Sequence, residues 1–263
     1  MNITLDQLVT DARDALSARK ARVPEIELYA KLAPRDGGDA FYRAVTEPFG
    51  GDVSLIAEIK HRSPSAGVLA EPDEDSVARA HLYETAGADA VSYVSDAVNF
   101  GGHPDMVRHL TDTIGIPVLQ KDFVVDNYQI VEAAVNGAHA LLLIARILDM
   151  RTLAAFVELC YLYGIEPVVE IYDEKDLEKA LATNARIFGV NARDLDTFAI
   201  DIDGACSLGR SIPEDRIFIG FSGVRDRGDV ERFRDAGARA VLVGTTLMRA
   251  ENIEDTISHL KNV

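Results

Sequence analysis

Tryptophan is absent from this 263-residue chain, cysteine occurs twice, and there are seven lysines against twenty arginines. Cys160 and Cys206 form neither a disulfide framework nor a CxxC metal site, so the expected compartment is a reducing cytoplasm. No run of eighteen apolar residues occurs, and the N-terminal stretch MNITLDQLVTDARDAL is acidic and amphipathic, unlike a signal peptide. The histidines, at 61, 81, 103, 109, 139 and 259, lack ligand spacing, so no metal is expected. Positive charge is also short: 43 acids face 27 bases, a net charge of −16. That field repels phosphate backbones and anionic lipid, so neither nucleic acid nor a membrane is an expected partner. A small molecule acted on by a monomer or weak oligomer remains. Acidity with scarce lysine fits a salt-adapted source, a GC-rich genome and engineering equally, and it makes Lys60 and Lys121 conspicuous.

What the chain does contain is a repeated cadence: an amphipathic segment, then Gly-Ala-x-Ala, then a β-rich run. It appears in YETAGADAVSYVS (83–95), AAVNGAHALLLIA (133–145) and FRDAGARAVLVG (233–244), and more weakly in ALATNARIFGVNA (180–192). Glycine there suits the residue just past a helix, and continuous apolar runs suit parallel strands covered by helices. The pattern predicts strands near 53–60, 89–95, 116–121, 139–145, 166–172, 186–192, 216–222 and 239–244. A helical pattern follows each, weakest near 202–211. Eight such units in a chain of this length predict an α/β fold, a (β/α)8 barrel in one domain over 1–263, with residues 1–50 as an N-terminal helical extension. An open doubly wound sheet is disfavoured because no GxGxxG follows the first strand.

In such a barrel, functional groups sit where strands end. The stretch SLIAEIKHRSPSAG places Glu58 and Lys60 two residues apart, on the same strand face as Ile56 and opposite Leu55, Ala57 and Ile59. Other polar strand ends are Ser95, Lys121, Arg146, Glu170, Asn191, Arg193 and Ser222. One such residue is commonly a rim salt bridge. Two Lys and two Glu converging from three strands point instead to a pocket, because unpaired buried charge is costly. FSGVRD (221–226) and VGTTLMRA (243–250) follow the last two strands and present Gly223, Gly244 and Thr245 where such barrels often hold phosphate; Ser63 of SPS (63–65) adds a hydroxyl.

The chain resembles the indole-3-glycerol phosphate synthase family through IAEIKHRSPSAG, NFGG (99–102), PVLQKDF (117–123), VVEIYDEKDLEKAL (168–181), GVNARDLDTF (189–198) and VLVGTTLMR (241–249). The resemblance implies a cofactor-independent carboxy-lyase of tryptophan biosynthesis, acting on 1-(2-carboxyphenylamino)-1-deoxyribulose 5-phosphate. It implies Lys121 as general acid in ring closure, Lys60 with Arg193 facing the carboxylate that is lost, and Lys60 with Glu58 or Glu170 sharing the dehydration. Asn191 would orient sugar hydroxyls, and Ser63, Gly223, Gly244 and Thr245 would hold the phosphate. Ser222, Phe221, Tyr172 and Phe100 would line the substrate.

Several positions depart from the family pattern. Phe221 stands where Glu is usual, Ala97 and Val98 where an acid and a Lys are usual, and Tyr93 and Tyr172 where the family has other side chains. These changes lead one to expect a mouth with one aromatic, weakly charged side. A second reading follows: a repurposed or engineered barrel in which Glu170 or Glu58 takes a proton from a flat aromatic molecule stacked on Phe221 or Tyr172. A third is a barrel that binds a phosphate ester without turnover.

Overall fold

The computed structural model describes residues 3–33, 39–70, 74–194 and 197–261. Eight parallel strands close on themselves: β1 (Ser54–Ile59), β2 (Ala90–Val94), β3 (Val118–Lys121), β4 (Ala140–Ile144), β5 (Glu166–Ile171), β6 (Ile187–Asn191), β7 (Ile217–Phe221) and β8 (Ala240–Val243), with β8 pairing back to β1. Each lies inside the segment expected for it. A small antiparallel pair, Arg62–Ser63 with Gly67–Val68, ornaments the loop after β1.

Strand alternation divides the core in two. Ile56, Ala90, Leu119, Leu142, Val168, Ile187, Ile219 and Leu242 fill the barrel interior. Leu55, Ala57, Ile59, Val91, Val118, Val169 and Phe188 face the surrounding helices. Both strand faces are thus dry, which is why the sequence reads as unbroken apolar runs. The cadence glycines Gly87, Gly137 and Gly237 follow the helices Ser76–Thr85, Asn127–Val135 and Arg227–Asp235, and all have positive φ. The weak segment near 202–211 forms the helix Ile202–Gly209, capped by Asp201 Oδ1 accepting from Gly204 N at 2.9 Å.

The helices before β1 cover both ends of the barrel. Leu5–Arg22 lies over the end where the strands terminate, packing Leu5, Leu8 and Ala12 with Phe100 and Phe123. Asp39–Thr46 closes the opposite end with Phe41 and Val45 fully buried. Arg186 holds it there, ion-paired to Asp39 and to buried Glu166, with its guanidinium 4.3 Å from the Tyr42 ring centre. Residues 1, 2 and 34–38 of the expected extension lie outside the described residues.

A second fastening was not foreseen. Lys261, 2% exposed at the end of the helix Ile253–Lys261, donates to Phe49 O, Gly87 O and Asp89 Oδ2 at 2.7–2.8 Å. Asp89 in turn accepts from Phe49 N and Leu55 N, both at 2.7 Å. One buried ion pair therefore joins the last helix, the chain entering β1 and the turn before β2. Removing one partner strands the other charge, so Lys261→Met should lower unfolding free energy by about 3–5 kcal/mol. Urea titration measures this, and a loss below about 1 kcal/mol, the scale of an exposed pair, would contradict it.

Candidate active site

Alternation places Glu58 and Lys60 inside the barrel above Ile56, as the sequence implied. They form a close hydrogen-bonded ion pair, with Glu58 3% exposed. Across the same cleft, Lys121 Nζ lies 3.3 Å from Glu170 Oε2. Asn191 Nδ2 donates to Glu170 Oε1 at 3.1 Å, and Asn191 Oδ1 accepts from Arg193 N at 3.0 Å. The register puts these groups at one level, with Val94 beside Lys121, Ile144 beside Glu170 and Asn191 beside Phe221.

Electrostatics follow from the packing. Burial pushes the Glu58 carboxyl up, but Lys60, Lys121 and Arg193 outweigh it and hold the group below the usual carboxylate range. Burial acts to lower the Lys121 ammonium, but Glu170 and Glu58 outweigh it and raise its pKa, so it remains charged near neutrality. Arg193 is shifted down by burial, partly offset by Glu58, and its Nη1 donates to Phe198 O at 3.1 Å. Glu58 and Glu170 thus face Lys60, Lys121 and Arg193 in a cleft walled by Leu8, Phe100, Phe123, Ile144, Phe221 and Leu242, with Asp96, Asp122 and Arg225 also on its lining.

The phosphate candidates gather at one side. Ser63, Ser222, Gly223, Gly244 and Thr245 all line the cleft. Ser222 and Gly223 both take positive φ (65° and 85°), so the chain turns sharply as it leaves β7. Thr246 Oγ1 donates to Val224 O at 2.6 Å and ties the loops after β7 and β8 together. Ser63 Oγ accepts from Ala66 N at 3.0 Å. A Cβ at Gly244 would overlap Glu58 Oε1 and Lys60 Nζ, so any side chain there must displace the ends of the charged pair.

Other expectations need correction. Tyr93 points outward, away from the mouth, because β2 alternates; it is buried among the helices, and its hydroxyl accepts from His103 N at 3.3 Å. Tyr172 lies past the end of β5 with its ring centre 4.4 Å from the Arg146 guanidinium, and it does not line the cleft. Ser95 also faces outward, donating to Asp122 Oδ2 at 2.9 Å. Ala97 and Val98 act through their carbonyls, which accept from Arg62 Nη2 at 3.1 and 2.7 Å. Of the departures, only Phe221 alters the cleft wall, and its ring lies against Gly189. Leu8 was missed because its place in the wall depends on how a distant helix docks.

The family model for indole-3-glycerol phosphate synthase matches residues 5–260. The chain belongs to the indole-3-glycerol phosphate synthase family. It is 39% identical over 260 residues to the indole-3-glycerol phosphate synthase of Desulfosudis oleivorans, covering 98% of this chain and 97% of that protein. It is also 39% identical to indole-3-glycerol phosphate synthase 2 of Streptomyces coelicolor, with 99% of each covered. Among solved structures, 3-hexulose-6-phosphate synthase superposes with a TM-score of 0.63 at 14% identity over 80% of this chain and 99% of its own, which shows the shared barrel fold.

The Phe221–Gly189 contact makes a stability prediction. Any side chain at 189 must displace the ring, so Gly189→Ala should cost about 1–3 kcal/mol by overpacking. Thermal and denaturant unfolding should show much of that loss recovered in Gly189→Ala/Phe221→Leu. Equal stability of wild type and Gly189→Ala would mean that the ring does not rest there.

Proposed function

We propose that this chain catalyses ring closure, decarboxylation and dehydration of 1-(2-carboxyphenylamino)-1-deoxyribulose 5-phosphate to indole-3-glycerol phosphate. The observation that carries this reading is the pair of carboxylate-bound ammoniums, Glu58–Lys60 and Glu170–Lys121, facing one cleft bordered by the Gly223 and Gly244 loops. Lys121 gives a proton to the ketose oxygen as the aryl carbon attacks the carbonyl carbon. Lys60 and Arg193 face the ring carboxylate until it leaves as CO2 and its bonding electrons return to the ring. The hydroxyl formed in the first step departs as water with a proton from Lys60, and a neighbouring carboxylate takes the proton released in forming the indole. Asn191 acts by holding Glu170; its engaged amide makes a sugar contact secondary. Ser63, Gly223, Gly244 and Thr245 would hold the phosphate, with Ser222 and Phe100 against the rest of the substrate and buried Phe221 backing the wall.

The geometry disfavours proton abstraction from a flat aromatic molecule as the main activity. Such a base gains strength from a raised pKa, whereas Glu58 is held below the usual range by three cations and Glu170 is ion-paired. Stacking is also disfavoured, because Phe221 is 1% exposed and Tyr172 lies outside the cleft. A binder without turnover would not need two paired ammoniums. The extension and barrel act in this reading as one domain, a cytoplasmic monomer or weak oligomer without nucleic-acid or membrane partners. No helix among the described residues is long and apolar enough to cross a membrane.

Lys121→Met keeps the stem and removes the proton, so kcat for indoleglycerol phosphate formation should fall at least about a hundredfold. Near-normal turnover in that variant, with wild type active, would refute the general-acid role. Inorganic phosphate should raise the melting temperature by mass action, by the equivalent of about 2.7 kcal/mol at a hundred times its Kd. A melting temperature indifferent to phosphate would remove the Gly223–Gly244 site from the account.

A further inference from the structure

At the end of β3, beside the cleft, three carboxylates are buried together: Asp96, Asp122 and Glu132 are 3%, 6% and 8% exposed, and the first two reach the cleft lining. One arginine from the N-terminal helix serves them. Arg19 Nη2 lies 3.5 Å from Glu132 Oε2, and its charge also stabilises the ionised forms of Asp122 and Asp96. Asp122 and Asp96 each support a piece of the cleft wall. Asp122 follows Lys121 in the chain and accepts from Ser95 Oγ at 2.9 Å and from Phe123 N at 2.8 Å. Ser95 N donates to Lys121 O at 2.9 Å, so the ends of β2 and β3 are clamped side by side. Asp96 accepts from Asn99 N and Phe100 N at 2.6 and 3.1 Å, shaping the loop that puts Phe100 into the cleft. Asn99 Nδ2 reaches back to Asp11 Oδ2 of the same N-terminal helix at 3.2 Å.

We propose that Arg19 is a positioning residue for the synthase reaction: its guanidinium braces the carboxylate cluster at the end of β3, and so holds Lys121 against Glu170. Without it, the three buried carboxylates keep only the more distant Arg22 beside Glu132, and protonation relieves them. A protonated Asp122 accepts only weakly from Ser95 and Phe123, the clamp loosens, and the ammonium of Lys121 loses its aim. Misplacement on that scale costs rate rather than affinity.

The sign of the pH effect follows from the groups facing the cluster. Arg19 and Arg22 of the N-terminal helix favour the ionised forms, while Asp11 of that helix and Asp105 of the helix Asp105–Thr111 oppose them, as do the three carboxylates mutually. Tyr128, beside Glu132, is neutral at working pH. Burial already pushes Glu132 up to about 7 and raises Asp96 and Asp122, so positioning is lost as pH falls. Arg19→Met raises these values further and should carry the acid limb of kcat to higher pH by about one unit or more. Its kcat at neutral pH should fall about tenfold to a hundredfold with KM little changed, and Arg19→Lys should restore both. Glu132→Gln, which removes one like charge, should move the acid limb the other way.

This inference rests on the synthase reading, and one measurement separates their failures. NMR of the Lys121 side chain at and below neutral pH needs no turnover: its chemical shift should move in Arg19→Met and stay near the wild-type value in Arg19→Lys. An unchanged acid limb and an unchanged Lys121 signal in folded Arg19→Met would reduce Arg19 to a structural tie. If that variant does not fold, an unmoved acid limb in Glu132→Gln would overturn the proposal equally. Inactive wild type with the expected Lys121 shift would sink the synthase reading and leave the positioning role standing.

Discussion

A charge removed from water is costly unless paired, and the barrel answers this constraint at three places with direct ion pairs. At the catalytic end Glu58 answers Lys60 and Glu170 answers Lys121. At the closed end Arg186 answers Glu166 and Asp39. Lys261 answers Asp89 between the last helix and the first strands. The last two arrangements are saturated by backbone and side-chain partners and hold elements together. The cleft pairs differ in facing an open space, where, on the proposed reading, an arriving carboxylate or ketose oxygen competes for the same ammoniums. A device that elsewhere confers stability becomes reactive there because one side is left for substrate.

The overall charge and the site differ in balance. The chain is at −16, yet the cleft lining sets four cations (Lys60, Lys121, Arg193 and Arg225) against four carboxylates (Glu58, Asp96, Asp122 and Glu170). Exposed charges are screened over about 8 Å in physiological salt, so the groups lining the cleft govern an anionic substrate once it is inside. Phe221 contributes by its neutrality. A carboxylate there would tip the balance negative, whereas the ring fills the space over Gly189 and adds no charge.

Much of this was legible because strand alternation is a local rule. The parity of Ile56, Glu58 and Lys60 alone aims both charged groups into the barrel, and eight apolar runs with their glycine cadence suffice for the topology. The same rule, applied to Tyr93, shows that it faces the helices; the expectation that it lined the mouth overlooked its parity with Val91. Tyr172 lies just past its strand, where alternation no longer decides direction and stacking against Arg146 does. Leu8, Arg19 and Lys261 were illegible for a different reason. Each acts across a large sequence separation, through docking of a terminal helix that no local pattern encodes. Their residue types are ordinary for exposed or half-exposed helix positions, and only the tertiary contact makes them special.

The central claim is that the cleft keeps its general acid charged through a paired carboxylate that opposes the effect of burial. Titrating the Lys121 ammonium by NMR in wild type and in Glu170→Gln tests it most directly. The account predicts a wild-type pKa above the ordinary lysine value of about 10.4, and a marked drop in Glu170→Gln, where burial remains and the principal attraction is gone. The same Lys121 pKa in both proteins would contradict it.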